Sequence, residues 1–210
     1  MRRDSIMLAL GTPGDLDEVY PSMLTEFADS LKSREQLTRL LTTGDYRLYL
    51  ARSAPPAATR VGYALVFAPR GQQLAWLDYL AVDASVRNEG IGTAIFQAIC
   101  DRLAPDFAGL MLEVDPPASH DPALLAMQRR RLAWYQRLGA RVLEVDYRFP
   151  GAGGAIPMLL LCRPLGSTTT LTADDLRKII RAVYDVVHSD VPGRDAILAR
   201  FIGDVRDQPL

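Results

Sequence analysis

The chain has 210 residues, of which 49% are hydrophobic and 23% charged, and its formal net charge is −1. These values are typical of a globular protein with one sizeable core, since two compact domains would each be small at this length. A net charge near zero provides no basic field for nucleic acid or for an anionic membrane surface, so we expect neither as a partner.

The two cysteines, Cys100 and Cys162, lie far apart in apolar segments. This spacing is not that of metal ligands and favours two buried free thiols in a reducing compartment. No segment approaches the roughly 18 apolar residues of a membrane span, and the apolar stretch after residues 1–4 is too short for a signal peptide. We therefore expect a cytoplasmic protein without a metal.

The first part of the chain is predicted to form four strands and two helices. Apolar residues at helical spacing predict a helix over 21–31. A second helix is predicted to begin near Ser33, because Ser33 and Gln36 have the spacing of a capping box. The strands are predicted at 5–10, 46–51, 60–68 and 74–83, the last two as an antiparallel hairpin.

The rest of the chain is predicted to continue with two helices between strands and to end in helices. Thr172 and Asp175 form another capping box, which starts the C-terminal helical segment after a polar linker at 167–170. The resulting order of elements predicts an α+β or mixed α/β fold with a mostly antiparallel sheet. The helices are predicted at 90–103 and 121–138, the strands at 109–114, 141–149 and 156–162.

The segment between Asp83 and Thr93 carries the clearest chemical signal. A strand ends near Asp83, a short loop follows, and Gly90 and Gly92 open an amphipathic helix. Glycines at a helix start let the backbone approach a ligand, and the unpaired N–H groups of the first turn favour an anion such as a pyrophosphate. Arg87 is placed to join this site. The spacing is neither that of a P-loop nor Gly-x-Gly-x-x-Gly.

Two segments resemble motifs of the GNAT superfamily of N-acetyltransferases. Leu80–Gly92 reads Leu-Ala-Val-x-x-x-x-Arg-x-x-Gly-Ile-Gly and resembles the acetyl-CoA motif Arg/Gln-x-x-Gly-x-Gly/Ala. Trp134–Ala140 resembles the family's Tyr-x-x-x-Gly-Phe, with Ala140 in place of the usual aromatic residue. The resemblance covers roughly residues 5–165. It implies a GNAT fold, with a mostly antiparallel, splayed central sheet flanked by helices, over 1–165, and leaves 166–210 as a helical C-terminal extension packed on the domain or on a partner.

The resemblance also implies acetyl-CoA as co-substrate and assigns residues to it. The side chain of Arg87 and the backbone N–H groups of the following loop would hold the pyrophosphate, and the end of the preceding strand would pair with the pantetheine arm. Gln128 stands where the family often has an asparagine that contacts CoA. The loop residues are Asn88, Glu89, Gly90, Ile91, Gly92 and Thr93, and the strand residues are Leu80, Ala81 and Val82.

The implied reaction is direct attack of an acceptor amine on the acetyl carbonyl, which the main-chain N–H near Val82 would polarise. Tyr135 matches the tyrosine that protonates the departing CoA thiolate, although its helical spacing also fits a half-buried core residue. Asp78 lies inside an otherwise apolar strand, where a carboxylate needs a task or a partner. It is interpreted as a base or an amine-binding anchor, with a structural salt bridge as the alternative. Asp78, Glu113 and a water chain all remain candidates for the base.

The acceptor itself is the least determined part of the prediction. Trp76, Glu113 and Tyr147 are candidate substrate-binding residues, although aromatic strand residues are more often core. The histidines His120 and His188 are interpreted as surface residues. We expect a small-molecule or amino-acid-like amine as acceptor. The alternatives are a protein or peptide N-acetyltransferase and a non-catalytic CoA-binding sensor or scaffold. A homodimer is also open, because the C-terminal apolar helix face must pack on something.

Overall fold

The computed structural model describes residues 6–28, 30–151 and 153–210. Its helices lie between runs of strands along the chain, as expected of a mixed α/β fold. The strands are β1 (Ile6–Leu10), β2 (Tyr46–Ser53), β3 (Arg60–Phe67), β4 (Leu74–Val82), β5 (Gly109–Val114), β6 (Arg141–Val142), β7 (Arg148–Gly151), β8 (Gly154–Pro157), β9 (Leu159–Pro164), β10 (Thr170–Leu171) and β11 (Gln208–Pro209). The helices are α1 (Leu16–Glu26), α2 (Arg34–Thr42), α3 (Ile91–Leu103), α4 (Pro122–Arg137), α5 (Ala173–Ala182) and α6 (Arg194–Ala199).

Within the described ranges, seven strands form a sheet in the order β1-β2-β3-β4-β5-β9-β6. The pairs β1/β2, β2/β3, β5/β9 and β6/β9 are antiparallel. Two short antiparallel pairs, β7/β8 and β10/β11, stand outside this sheet. The prediction of a mixed α/β fold with a mostly antiparallel sheet flanked by helices is confirmed.

The chain divides into two compact units. The first comprises the described residues up to Arg70 together with Leu77–Pro105, and the second comprises Gly71–Trp76 and Asp106–Leu210. Strand β4 therefore contributes its first three residues to the second unit and the remainder to the first. No helix among the described residues has the length and apolar character needed to cross a membrane.

The first unit corrects the predicted start and end of the first helix, which runs over Leu16–Glu26 and not over 21–31. It begins early because a 3-10 turn over Pro13–Asp15 leads directly into it. Thr12 and Asp15 cap this turn, since the Thr12 backbone N–H and hydroxyl both donate to the Asp15 carboxylate at 2.7 Å. Pro21 lies in the body of this helix and does not start it. The second helix is capped as predicted, with the Ser33 hydroxyl accepting from the backbone N–H of Gln36 at 3.2 Å.

In the first unit, α3 packs on β1 and β3. This approach requires Gly62 on β3. A Cβ at position 62 would lie 2.5 Å from the Ala81 carbonyl oxygen and 2.6 Å from Cδ1 of Ile95. The missing side chain of Gly62 thus lets the helix and the end of β4 lie close to β3.

The second unit corrects the predicted strand over 141–149. Only Arg141–Val142 pairs with β9, because the chain then turns away at Glu144, whose backbone N–H donates to the side chain of Gln208 at 2.8 Å. The chain pairs again as β7, which forms a hairpin with β8. The predicted strand over 156–162 is likewise divided between β8 and β9.

The C-terminal segment lies within the second unit. Its first helix is capped as predicted, since the Thr172 hydroxyl accepts from the backbone N–H of Asp175 at 3.1 Å. The helix continues into a π-helical turn over Val183–Val187, which places Tyr184 and Val187 in the core. Helix α6 packs against β7 and against this turn.

Candidate active site

The loop between β4 and α3 has the backbone geometry of an anion-binding turn. Asn88 has φ +67° and Gly90 has φ +82°, so two residues adopt the left-handed region within three positions. Helix α3 begins directly afterwards, and its first turn is closed by the Ala94 N–H, which donates to the Gly90 carbonyl at 3.1 Å. A left-handed turn that runs into a helix N-terminus presents successive backbone N–H groups on one concave surface. The structure thus places two left-handed residues directly before a helix N-terminus, and the binding of a pyrophosphate by this loop stays a prediction.

Arg87 ties this loop to its surroundings in the first unit. Its Nε donates to the carbonyl oxygen of Val82 at 3.1 Å, and its guanidinium forms an ion pair with Glu26 at the end of α1. The side chain is 43% exposed. Arg87 thus holds the loop at the end of β4 and keeps part of its guanidinium towards solvent.

A second ion pair fixes the start of the same loop. Asp83 accepts two bonds from the guanidinium of Arg60, both at 3.2 Å, and its backbone N–H donates to the Val61 carbonyl at 3.0 Å. The predicted pantetheine-binding residues Leu80, Ala81 and Val82 immediately precede this anchor and form the last three residues of β4. The strand end and the loop therefore form one continuous, firmly held segment.

Asp78 lies in a buried ion pair with Lys32. The Lys32 ammonium donates to both carboxylate oxygens, at 2.9 and 3.1 Å, and the side chains of Lys32 and Asp78 are only 6% and 4% exposed. The hydroxyl of Tyr46 also donates to this carboxylate. The structure thus realises the salt bridge that the sequence left as an alternative for Asp78, and its role as a base stays a prediction.

Tyr79 connects the same cluster to the segment between α1 and α2. Its hydroxyl donates to the Ser30 carbonyl at 3.0 Å and accepts from the backbone N–H of Lys32 at 3.2 Å. Its ring meets that of Phe27 edge to face, with centroids 4.8 Å apart. Burial, followed by the negative charge of Asp78, raises the pKa of Tyr79 to about 12. The hydroxyl therefore remains protonated at neutral pH.

The pKa of Lys32 results from two opposing effects. Burial alone would lower the pKa of the ammonium, but the charge of Asp78 and the bonds to Asp78 and Tyr79 outweigh burial and raise it. Burial, together with the charge of Asp78, also raises the pKa of Tyr46 well above its usual value. The cluster is therefore one ammonium, one carboxylate and two neutral phenols.

In the second unit, Tyr135 projects from α4 and is 8% exposed. Its ring meets that of Trp134 edge to face at 4.7 Å. Burial raises the pKa of Tyr135 to about 12, although the nearby charge of Arg131 opposes the increase. A phenol with such a pKa keeps its proton at neutral pH, as a general acid must before it donates. Helix α4 ends as predicted at Gly139, which has φ +85°.

Gln128, which is also on α4, makes a hydrogen bond with the segment that precedes this helix. Its side-chain oxygen accepts from the backbone N–H of Ser119 at 3.2 Å, in the segment between β5 and α4. Arg131 and Asp115 form a further ion pair at 3.1 Å across the same segment. The structure thus shows Gln128 holding this connection, and its predicted contact with CoA stays a prediction.

The three candidate acceptor residues belong to one polar and aromatic cluster of the second unit. The Trp76 and Tyr147 rings lie 5.6 Å apart and are 0% and 1% exposed. Tyr147 also contacts Tyr184 from the C-terminal segment at 6.4 Å. Burial, together with the negative charge of Glu113, raises the pKa of Tyr184. The structure thus places Trp76 and Tyr147 in contact in the core and the half-buried Glu113 near Tyr184, which is packed on Tyr147.

The interpretation of His188 as a surface residue is wrong. Its side chain is buried, and its ring lies 5.0 Å from Phe149 and 6.1 Å from Tyr184. A π-helical turn over Val183–Val187 directly precedes His188 and places His188 on the inner face of the C-terminal segment. Such a turn departs from regular helical spacing, so the sequence pattern did not predict it.

Sequence reasoning missed Lys32 as a partner of Asp78. A signal was present, since Lys32 is one of only two lysines among 24 basic residues. The contact itself joins positions 46 residues apart, which no local pattern reveals. Among the described residues, no group of three or more His, Cys, Asp or Glu side chains is arranged to hold a metal ion.

Comparison with known proteins bears on the family and the fold of this chain. The model of the acetyltransferase (GNAT) family matches residues 16–139, which is more than half of the chain. A comparison with curated proteins gives no significant match.

Solved structures with the same fold include proteins from three bacteria. A GNAT-family protein from Bacteroides thetaiotaomicron superposes with a TM-score of 0.68 at 20% identity, over 86% of this chain and 97% of that one. The ribosomal-protein-S18-alanine N-acetyltransferase from Escherichia coli gives 0.56 at 18% identity, over 78% and 96%. A GNAT-family acetyltransferase from Elizabethkingia anophelis with acetyl-CoA bound gives 0.54 at 19% identity, over 77% and 99%. At these identities the comparisons establish the fold and leave the acceptor open.

Proposed function

The chain belongs to the acetyltransferase (GNAT) family, and on that premise we propose that it transfers the acetyl group of acetyl-CoA to a primary amine of a small-molecule or amino-acid-like acceptor. The family confirms the predicted class of enzyme, an acetyl-CoA-dependent acyltransferase, and with it the predicted co-substrate. The nature of the acceptor and the roles of individual residues are the proposal.

The observation that carries the acetyl-CoA part of the proposal is the loop between β4 and α3. Its two left-handed residues, Asn88 and Gly90, turn the backbone so that the α3 N-terminus follows at once. A Cβ at Gly90 would meet no atom within 4 Å, so the surface beside it is open to a ligand. A pyrophosphate, with oxygen acceptors and negative charge, fits the N–H groups and the helix dipole of such a loop.

We assign the pantetheine arm of CoA to the main chain of Leu80, Ala81 and Val82. An extended amide chain can pair with a strand as an added strand does, through backbone N–H and C=O groups. The N–H near Val82 would then polarise the acetyl carbonyl as negative charge develops on its oxygen. The ion pair of Asp83 with Arg60 and the bond from Arg87 to Val82 support this assignment, because they fix the segment that must stay in place.

We assign the role of general acid to Tyr135. The CoA thiolate leaves with a negative charge, and a proton from a phenol neutralises it as the thiol forms. The pKa of about 12 keeps Tyr135 protonated at neutral pH, as the ordinary tyrosine pKa of about 10 also would, so the assignment rests on the match of Tyr135 to the family's tyrosine. The attacking amine must lose its proton to attack, and we propose that a water chain carries that proton away. The carboxylate of Asp78 already accepts bonds from Lys32 and Tyr46, which argues against Asp78 as the base.

We propose that the reaction takes place in the cytoplasm. Cys100 and Cys162 are both buried thiols that form no disulfide, and cysteines kept as thiols are usual in a reducing compartment.

The proposal is tested by CoA thiol release from acetyl-CoA in the presence of a panel of primary amines and amino acids. We expect thiol release that requires the amine, with one acetylated product for each thiol. Amine-dependent release confined to peptides with free N-termini would show a peptide N-acetyltransferase instead. Tight acetyl-CoA binding without any amine-dependent release would identify a CoA-binding sensor.

A further inference from the structure

The surroundings of the Lys32 ammonium satisfy all three of its protons. Nζ donates to the two carboxylate oxygens of Asp78, at 2.9 and 3.1 Å, and to the Tyr79 hydroxyl at 3.4 Å. The Tyr79 ring adds a cation–π contact, with Nζ 5.0 Å from its centroid. A carboxylate, a hydroxyl and an aromatic ring around one nitrogen are the groups that recognise a primary ammonium.

The rest of the cluster keeps this arrangement fixed without Lys32. The Tyr46 hydroxyl donates to the Asp78 carboxylate from β2. The Tyr79 hydroxyl is oriented by its bond to the Ser30 carbonyl. Asp78, Tyr46 and Tyr79 all lie on strands, and strands hold side chains more rigidly than loops do. Lys32, in contrast, comes from the connection between α1 and α2.

Asp78 lies on β4 close to the residues that we assign to the pantetheine arm, and thus close to where an acceptor amine would react. Asp78 is two residues before Leu80, where we place the pantetheine arm, and an acidic residue here is the one that the sequence interpretation offered as an amine anchor. In this chain the anchor already holds an ammonium group. To bind Asp78, an acceptor amine would have to displace the ammonium group of Lys32, whose side chain belongs to the same chain and is only 6% exposed.

We propose that Asp78, Tyr46 and Tyr79 form a primary-ammonium site that Lys32 fills from within the chain, so that the Asp78 carboxylate is already occupied when an acceptor amine binds. The inference rests on the proposed function in one respect only, that the acceptor is an amine. It deepens that function, because the acceptor is then an amine that is bound without a carboxylate anchor on β4.

The inference predicts chemical rescue of a truncated lysine. The Lys32→Ala variant lacks a three-carbon ammonium fragment, which is n-propylammonium in size and charge. We expect millimolar n-propylammonium to raise the melting temperature of Lys32→Ala by about 3 °C, as a ligand at several times its dissociation constant does for a chain of this length. The neutral isostere 1-propanol should give no comparable shift, since it brings no charge to Asp78.

The double variant Lys32→Ala/Asp78→Asn and the wild type are the matched controls. The melting temperature of neither should rise with n-propylammonium. The double variant lacks the carboxylate, and in the wild type the ammonium of Lys32 already occupies the site. If Lys32→Ala is recovered unfolded, the same comparison is made on the folded yield after refolding with each additive. An equal response to 1-propanol, an equal response in the double variant, or no response at all would overturn the inference.

This experiment uses no acetyl-CoA, so its outcome is independent of the acyl transfer. Absence of acetyl-CoA binding by the wild type would remove the proposed function and leave the ammonium site standing. If the wild type binds acetyl-CoA normally but 1-propanol stabilises Lys32→Ala as well as n-propylammonium does, the ammonium site is refuted and the proposed function stands. The two failures are therefore distinguishable.

Discussion

The ammonium nitrogen of Lys32 lies 2.9 Å from a carboxylate oxygen of Asp78, and both side chains are almost completely buried. The two charges depend on each other, because a buried charge that loses its partner keeps its desolvation cost and loses its compensation. We therefore expect Lys32→Met to lower the free energy of unfolding by about 3–5 kcal/mol. Lys32→Met/Asp78→Asn should cost less than Lys32→Met alone, as measured by urea unfolding.

The other lysine provides the control for this experiment. Lys178 pairs with Asp174 at 2.6 Å, but the two side chains are 58% and 72% exposed. Lys178→Met should leave the free energy of unfolding nearly unchanged, because exposed ion pairs contribute little. A double variant at 32 and 78 that is as unstable as the sum of its single variants would show that the two charges are not coupled.

Gly62→Ala is expected to disturb the contact between α3 and the end of β4. The new Cβ would lie 2.5 Å from the Ala81 carbonyl oxygen, and a backbone atom cannot move aside as a side chain can. We expect a loss of about 1–3 kcal/mol in the free energy of unfolding, together with weaker acetyl-CoA binding. Calorimetry on the same samples measures both.

Gly166→Ala is the matched control for Gly62→Ala, because a Cβ at position 166 meets no atom within 4 Å. It should behave like the wild type in both measurements. Full stability of Gly62→Ala would mean that α3 is free to move away from β3 at little cost.

Arg87→Ala should raise the KM for acetyl-CoA about tenfold. The substitution removes the bond from Nε to the Val82 carbonyl and the ion pair with Glu26, and it removes a positive charge beside the proposed pyrophosphate loop. Hydrogen bonds to charged groups are typically worth about 1.5–3 kcal/mol, which corresponds to a tenfold or larger change in affinity. Initial rates at varied acetyl-CoA give the value.

Arg70→Ala serves as its control, because Arg70 also pairs with a carboxylate, that of Asp45 at 3.1 Å, and is 80% exposed. Its KM should match that of the wild type. Equal effects at 70 and 87 would indicate a general influence of charge and not a contact in the loop.

Tyr135→Phe should lower kcat at least a hundredfold, as loss of a general acid does, while acetyl-CoA binding is retained. The wild type should show no loss of rate from ionisation of Tyr135 below about pH 11, since its pKa is raised to about 12 and the acid form is the active one. The same raised pKa contributes stability that is present below the ordinary tyrosine pKa of about 10 and is lost as the pH rises towards 12. Tyr49→Phe, at another buried tyrosine, is the control. An unchanged kcat in Tyr135→Phe would leave Tyr135 as a core residue.

Patterns among neighbouring residues predicted the helix caps and helix ends of this chain, because contacts between neighbouring residues form them. The caps at Ser33 and Thr172, the helix after Gly90 and the helix end at Gly139 were all predicted from neighbouring residues, and the structure contains each of them. At the start of α1, apolar spacing predicted a helix over 21–31 and did not register the Thr12–Asp15 box, after which the helix begins at Leu16, five residues before the predicted start.

Contacts between distant segments were beyond prediction. The Gln208 side chain interrupts the predicted strand at Glu144 from 64 residues away. Lys32 reaches Asp78 across 46 residues. The π-helical turn at Val183–Val187 shifts Tyr184 and His188 relative to a regular helix and buries both. In each case a contact between segments that are distant in sequence, or an irregular turn, determines the local structure. Patterns of neighbouring residues do not reveal such features.

Ligand-dependent thermal stabilisation tests the central claim, that the loop between β4 and α3 binds acetyl-CoA. The wild type and Gly92→Trp, which puts a large side chain into the first turn of α3, are each melted with acetyl-CoA, CoA, ATP and NAD. At 100 times the dissociation constant we expect acetyl-CoA to add about 2.7 kcal/mol to the free energy of unfolding of the wild type, a rise of about 5–10 °C in melting temperature. Gly92→Trp should show no such rise. Stabilisation by ATP or NAD without any by acetyl-CoA or CoA would contradict the account.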